Sequence, residues 1–373
     1  MSGPEAILAA PPDLPTVRAL FTRELEASAR QAEATDEIPP DALARFNAHG
    51  LCALTVPLEL GGLGLAPVEV LPYLELAGMG PAWSRMLTHV ANGIWRPIVR
   101  YGGDGQRDVV RRMAAGEAVV AFALTERSGG SGRDLHSRAE REGDSWRLTG
   151  EKHLITFADR AAFFLLTAAS DDRRAGDSLT SFLIPRDTPG LVIEGAQHTM
   201  GLAGTGHRTL RFDGMALADR HRLGPVGAGL EVAMSFLDYS RVSLSTCMVG
   251  TAQRALDEAV DFARRRVTFG RPIADRQAVQ VHLADMHADV SAGRALVRAA
   301  AVEPSAAGSA TAKLFCSAMV GRVTDLALRV HGGLGYTKAA PVERLYRDAR
   351  GYWFEEGTAE IQQLVIARHL LAR

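Results

Sequence analysis

Apolar residues along the chain keep two different periods, and the change between them divides it into three parts. From about residue 14 to residue 116 the spacing is mostly helical. Two breaks punctuate it: Ile38-Pro39-Pro40-Asp41, a helix start with aspartate in the first turn, and the glycine-rich Gly61-Gly62-Leu63-Gly64. From about residue 117 to residue 225 the texture becomes strand-like. Residues 119–124, 146–148, 163–167, 181–184, 191–194 and 209–212 are short apolar or alternating runs set between Gly, Pro and Asp. From Leu230 the helical spacing returns and runs to Arg373, interrupted at 268–272, 303–309 and 331–341. Helices, then strands, then helices predict an α+β chain rather than alternating βαβ units. The expected divisions are 1–116 (helical), 117–229 (β) and 230–373 (helical).

Composition removes whole classes of function. At 373 residues, 47% hydrophobic and 23% charged, the chain can bury a large core and lacks the composition of disorder. Forty-two Lys+Arg against 43 Asp+Glu leave a net charge of -1, so nothing global draws it to nucleic acid or an anionic membrane. The best apolar run, 161–169, is far short of the roughly 18 residues of a membrane span. Residues 1–15 carry Glu5 and Asp13 and lack the basic-then-apolar layout of a signal peptide. Cys52, Cys247 and Cys316 are scattered, without a CxxC, which speaks against a disulfide framework or a zinc site. A soluble, cytoplasmic protein is expected. No GxxxxGK[ST], HExxH or GxSxG occurs. Gly130-Ser131-Gly132, Gly204-Thr205-Gly206 and Gly333-Leu334-Gly335 each lack the third glycine of a Rossmann fingerprint. His282 and His287 would lie about 140° apart on a helix, so no metal site is expected.

Three stretches can carry chemistry. In Glu355-Glu356-Gly357-Thr358-Ala359-Glu360, a Gly-Thr pair precedes a helical run, with Thr358 the candidate cap. A carboxylate there is either a favourable charge at a helix start or, if buried beside its neighbour, a base with a raised pKa. Thr125-Glu126-Arg127-Ser128-Gly129-Gly130-Ser131-Gly132 follows an apolar strand, and its N–H groups and hydroxyls suit an anion or a heteroaromatic edge; a plain loop reads the same. Arg264-Arg265-Arg266-Val267-Thr268-Phe269-Gly270-Arg271-Pro272-Ile273, then Gln277, is either a pyrophosphate-binding cluster or a solvated basic face.

Taken in order, these passages resemble the acyl-CoA dehydrogenase family of flavoproteins over nearly the whole chain. Ala121-Phe122-Ala123-Leu124-Thr125-Glu126 is similar to the family's LTEPxAGSD strand and loop, and Thr149-Gly150-Glu151-Lys152-His153-Leu154-Ile155-Thr156 to its NGEKxxIT. Asp238-Tyr239-Ser240-Arg241 resembles the helix start that meets the thioester. The stretch from Arg266 to Ile273 with Gln277 and Leu283-Ala284-Asp285-Met286 resembles RxxFGxPI…Q…LADM. His331-Gly332-Gly333-Leu334-Gly335-Tyr336, Arg347-Asp348-Ala349-Arg350 and Glu356-Gly357-Thr358 complete the series.

The resemblance implies a helical N-terminal domain, a middle β-barrel or sandwich-like domain and a C-terminal four-helix bundle. It also implies a homo-oligomer, a dimer of dimers, with FAD between the β-domain and the bundle. The implied reaction is α,β-dehydrogenation of an acyl thioester: a carboxylate takes the α-proton and the β-hydride goes to flavin N5. Carbonyl polarisation falls to the Glu356 N–H and a ribityl hydroxyl. Phe122, Leu124, Thr125, Ser131, Leu154 and Thr156 are implied at the flavin, with Thr358 and Glu360 flanking it. Arg266, Thr268, Phe269, Gln277, Arg329, Gly332 and Gly333 are implied on the ADP half, mostly across a subunit interface. Ser131, Asp238, Arg241, Gly357 and Arg368 fall at substrate positions.

The family places its base either before the C-terminal Gly-Thr or beside the arginine of the substrate-facing helix. The second place holds Ser240, so the implied base is Glu356, with Glu355 where tyrosine is common. Arg127, Gly132, Leu154 and Arg329 depart from the pattern and leave the substrate open. An acyl-CoA or acyl-carrier-protein thioester is expected, with electron-transfer flavoprotein as acceptor. A biosynthetic carrier-protein dehydrogenase or oxidase, a flavin monooxygenase and a non-catalytic scaffold are the alternatives.

Overall fold

The computed structural model describes residues 10–128, 134–170 and 178–372. Its first part is helical: α1 (Leu14–Ala19), α2 (Glu26–Thr35), α3 (Pro40–Asn47), α4 (Leu71–Gly78), α5 (Ala82–Tyr101) and α6 (Asp104–Ala114). The start of α3 is the one the prolines predict, with Pro40 and Asp41 in its first turn.

The strands are β1 (Val120–Ala123), β2 (Arg138–Glu142), β3 (Ser145–Ile155), β4 (Phe163–Ser170), β5 (Leu179–Pro185), β6 (Leu191–Ala196), β7 (Arg208–Ala218) and β8 (Arg222–Leu223). Each run read as a strand overlaps one of them, 119–124 extending one residue past β1 at either end. They form one sheet in the order β6-β7-β3-β2-β4-β5-β8, with β1 alongside β4. Strand β4 pairs antiparallel with β5 on one edge, and parallel with β1 and then β2 on the other. In that order β3 and β5 are three spacings apart, about 14 Å across a flat sheet. Yet Trp146 of β3 and Phe182 of β5 meet edge to face at 5.4 Å. The sheet therefore curls over its own apolar core, which also buries Phe164 and Phe212.

After the sheet come α7 (Gly229–Met234), α8 (Leu237–Arg265), α9 (Gln277–Val302), α10 (Ala306–His331), α11 (Pro341–Gly351) and α12 (Ala359–Leu371). The break at 268–272 is a tight hairpin that turns through Phe269 and Gly270 at φ 50 and 76. Helix α10 restarts after only three residues, and Ser305 caps it by accepting the Gly308 N–H at 3.0 Å. Helix α8 crosses α4 so closely that a Cβ on Gly250 would stand 1.8 Å from the Glu75 carbonyl oxygen. Phe21, Phe46 and Trp83 from the first part share one continuous core with Leu244, Met248 and Val320 from the last. Among the described residues no helix is long and apolar enough to cross a membrane.

A buried ion pair fixes the end of β1 against β3. Lys152 Nζ donates to Glu126 Oε1 at 2.7 Å and to the Leu124 carbonyl at 3.2 Å, while Glu126 also accepts the His136 and Ser137 N–H groups. Burial pushes the Lys152 ammonium down to about 8, and Glu126 pulls it the other way. Replacing Lys152 by Met strands a buried carboxylate, so thermal unfolding should show a loss of about 3 kcal/mol. The double variant Lys152→Met/Glu126→Leu should recover a large part of it.

Candidate active site

Residues Glu355 to Thr358 join α11 to α12 across the bundle, and the backbone there is unusual. Glu356 is left-handed at φ 55 and Gly357 follows at φ 91. The first costs roughly 1 kcal/mol for a side chain bearing Cβ, and the second is a glycine conformation. Three bonds hold the reversal: Lys313 Nζ donates to the Gly357 carbonyl at 2.8 Å, and Gln362 Nε2 donates to the carbonyls of Glu356 and Gly357 at 3.2 and 3.1 Å. Lys313 is wholly buried, and that burial brings its ammonium down to about 8 against the pull of Glu355 and Glu356. Thr358 takes the N-cap position, but its side chain makes no capping bond and is exposed instead.

The reversal sends two adjacent carboxylates to different partners. Glu355 forms a two-bond pair with Arg85 of α5 at 3.0 and 3.1 Å. The guanidinium lies 4.3 Å above the Tyr352 ring. Glu356 Oε1 is 3.2 Å from His89 Nε2, one turn along the same helix, and accepts the Ser240 hydroxyl at 2.8 Å. Burial opposes the Glu356 charge, but His89, Ser240 and Arg241 outweigh it and hold the carboxyl below the usual carboxylate range. The raised pKa expected of a carboxylate buried beside its neighbour is not what Glu356 shows. Each has its own partner.

Glu356 borders a cleft of about 1030 Å³. Its β-side wall carries Phe122, Leu124, Thr125, Leu154 and Thr156, and its helical wall Arg241, Glu356, Gly357 and Thr358. Leu154 sits where the β3–β7 register slips, at φ 54 and 45% exposed, an apolar side chain aimed at the cleft rather than the sheet core. His207, also at the wall, is held between Thr205 at 2.9 Å and Thr156 at 3.2 Å, and burial lowers its pKa.

Other sequence candidates lie elsewhere. Arg266, Thr268, Phe269, Gln277, Arg329, Gly332 and Gly333 do not border the cleft. They lie at the end of α8, in the hairpin, at the start of α9 and around the end of α10, where Phe262 of α8 stacks on His331 of α10 at 4.2 Å. Phe269 is 96% exposed there. Asp238 binds Arg241 and Ser309 at 3.2 and 3.1 Å and borders a separate cavity of about 170 Å³. Glu360 and Arg368 are exposed on α12, and Ser131 lies outside the described residues.

Sequence reading missed Arg85, His89 and Lys313. The signal was present in α5, where Arg85, Thr88, His89 and Asn92 form a polar stripe at helical spacing inside an otherwise buried segment.

A curled β-domain thus lies between two helical parts, with a carboxylate bordering the cleft between sheet and bundle. The family models for the acyl-CoA dehydrogenase N-terminal, middle and C-terminal domains match residues 14–117, 121–215 and 227–371. The chain belongs to the acyl-CoA dehydrogenase family. It is similar to the human mitochondrial short-chain specific acyl-CoA dehydrogenase, 35% identical over 96% of this chain and 89% of that one. The acyl-CoA dehydrogenase of Bacillus subtilis is 33% identical over 95% and 96%. Among solved structures, butyryl-CoA dehydrogenase from Megasphaera elsdenii superposes with a TM-score of 0.91 at 26% identity, covering 96% of this chain and 97% of that one.

The Arg85–Glu355 pair is structural support for its neighbour. Glu355→Ala leaves a buried guanidinium unpaired, and calorimetry should show a loss of about 3 kcal/mol. A variant with unchanged unfolding temperature would contradict this role.

Proposed function

We propose that the chain is an FAD-dependent dehydrogenase of short acyl-CoA thioesters, with Glu356 as the base that removes the α-proton. The observation that carries this reading is the placing of Glu356: a carboxylate on a strained, clamped turn, facing the cleft opposite Leu154 and Thr156. The cleft is at the upper end of ligand-pocket sizes, with room for a ring system and an acyl chain together. Leu154, Met200 and Phe354 present exposed apolar surface beside the hydroxyls of Thr125 and Thr156, which suits a flat ring with a polar edge. Those residues, with Phe122, Leu124 and Thr358, would hold the flavin. When bound it supplies the acceptor for the β-hydride. A short acyl group accords with the human relative and with the polar residues, His89 and Ser240, behind the base.

The remaining chemistry belongs to the chain. An α-C–H beside a thioester is a weak acid, so its carbonyl needs a donor where enolate charge develops, and the Glu356 N–H is assigned to that place. Glu356 stands charged before substrate arrives. Arg241, bound to Asp238, contributes positive potential at the cleft wall. The second cluster, Arg266 to Gly333, is assigned to the ADP half of a neighbouring subunit's FAD. The exposed Val267, Phe269, Leu334 and Tyr336 around it support a homo-oligomer, a dimer of dimers. Electron-transfer flavoprotein is the assigned acceptor, in the cytoplasm.

Purified protein should carry about one FAD per chain, bleached anaerobically by butyryl-CoA. A panel of acyl-CoA and acyl-carrier-protein thioesters separates the two carriers by rate. Glu356→Gln should keep FAD and thioester binding while flavin reduction slows by at least about 10²; retention of the wild-type rate would refute the assignment. Dilution that splits the oligomer should release flavin, whereas a monomer that keeps FAD would show the ADP site to be complete in one chain.

A further inference from the structure

We propose that His89 is a positioning residue for Glu356: braced by Ser243, its imidazole engages one carboxylate oxygen, keeping the base charged and leaving the other oxygen to receive the substrate proton. The proposal rests on the reading of Glu356 as the base.

The geometry is specific. His89 Nε2 and the Ser240 hydroxyl both meet Oε1 of Glu356, at 3.2 and 2.8 Å. The far ring nitrogen, Nδ1, lies 3.0 Å from Ser243 Oγ, so the imidazole is engaged at both ends. Ser240 and Ser243 are three apart on α8 and share one face. His89 is 2% exposed, and both serines are equally buried. A carboxylate only accepts, so the proton on the ring belongs at Nε2, and Nδ1 accepts from Ser243. With Nε2 as donor and Nδ1 as acceptor, both ring nitrogens have partners.

The other charged groups facing this point make their hydrogen bonds elsewhere, although the charge of Arg241 also acts on Glu356. From α5, Arg85 is bound by Glu355; from α8, Arg241 is bound by Asp238; from α10, Lys313 donates to the Gly357 carbonyl. Glu360, at the start of α12, is exposed. Among the described residues, the side chains hydrogen-bonded to the Glu356 carboxylate are therefore His89 and Ser240. A hydrogen bond to an ionised acceptor is roughly twice as strong as one to a neutral acceptor, so His89 favours the charged form. The direction of the Glu356 pKa, downward despite burial, agrees with this. Protonation at Oε1 would break the His89 bond, whereas protonation at Oε2 leaves it intact.

The test is the pH dependence of anaerobic flavin reduction by saturating butyryl-CoA, using the holoenzyme. Removing a donor to the charged form raises the pKa of the base, so in His89→Phe the acid limb should move up by about one pH unit. The plateau above it should fall by less than about tenfold. His89→Gln, which restores an N–H donor, should return the limb most of the way, and Ser243→Ala should shift it upward by less. An unmoved limb in both His89→Phe and Ser243→Ala would overturn the proposal, as would a plateau in His89→Phe as low as that of Glu356→Gln. If Glu356→Gln itself keeps the wild-type rate, the base assignment is what fails, and the role of His89 falls with it.

Discussion

Two carboxylates that are neighbours in sequence are held by two residues four apart on a helix more than 250 positions earlier. Arg85 takes Glu355 and His89 takes Glu356. Residues i and i+4 stack on one helix face, so α5 offers two binding points about 6 Å apart along its axis. Consecutive side chains on an ordinary helix or strand could not both reach them. The left-handed residue at 356 is what allows it, and the Arg85–Glu355 pair is the anchor that sets the register. The strain of one turn is thus tied to contacts between the first and last parts of the chain, which already share a hydrophobic core.

Much of this architecture is legible in the sequence because it is written in periodicity. The helical blocks, the strand runs and the Pro40 helix start depend on local spacing. Strand β2 escaped because Arg138-Ala139-Glu140-Arg141-Glu142 buries only Ala139; a charged strand paired with β3 over its length leaves no apolar alternation to read. The Glu-Gly-Thr turn stood out because glycine before a helix start is a local signal. The partners of the turn did not. A buried arginine and histidine inside α5 acquire meaning only once a turn from the far end of the chain is set against them. The split between cleft residues and the cluster at the far end of the bundle comes from the family resemblance, since sequence order does not say which candidates share a surface.

The sheet contributes by a different device. A regular β3 would point alternate side chains into the core and out to solvent, and neither direction serves a cleft at the strand's end. The register slip between Lys152 and Ile155 breaks that alternation. Leu154 turns left-handed toward the cleft, while Lys152 before it and Ile155 after it remain buried. The Lys152–Glu126 pair ties β3, at the start of the slip, to the segment after β1 where Thr125 stands. Both walls therefore rest on a left-handed residue next to a buried ion pair.

That parallel bears on how the proposed base, Glu356, would be ready in such a place. Burial alone raises the pKa of a carboxylate, because the charged form loses water. A base so raised would be protonated, and idle, until something removed the proton. Here two hydrogen bonds on one oxygen, with the charge of Arg241, oppose the burial and hold the resting group below the usual carboxylate range. A bound acyl chain would then strip water from the free oxygen alone, since Oε1 already has protein donors in place of solvent. On the proposed reading, the rise in basicity would be confined to the oxygen assigned to the substrate side and to the time the substrate is bound. For the proposed base, placement of the donors on one oxygen, rather than their number, would let a buried carboxylate be ionised at rest and basic once substrate is bound.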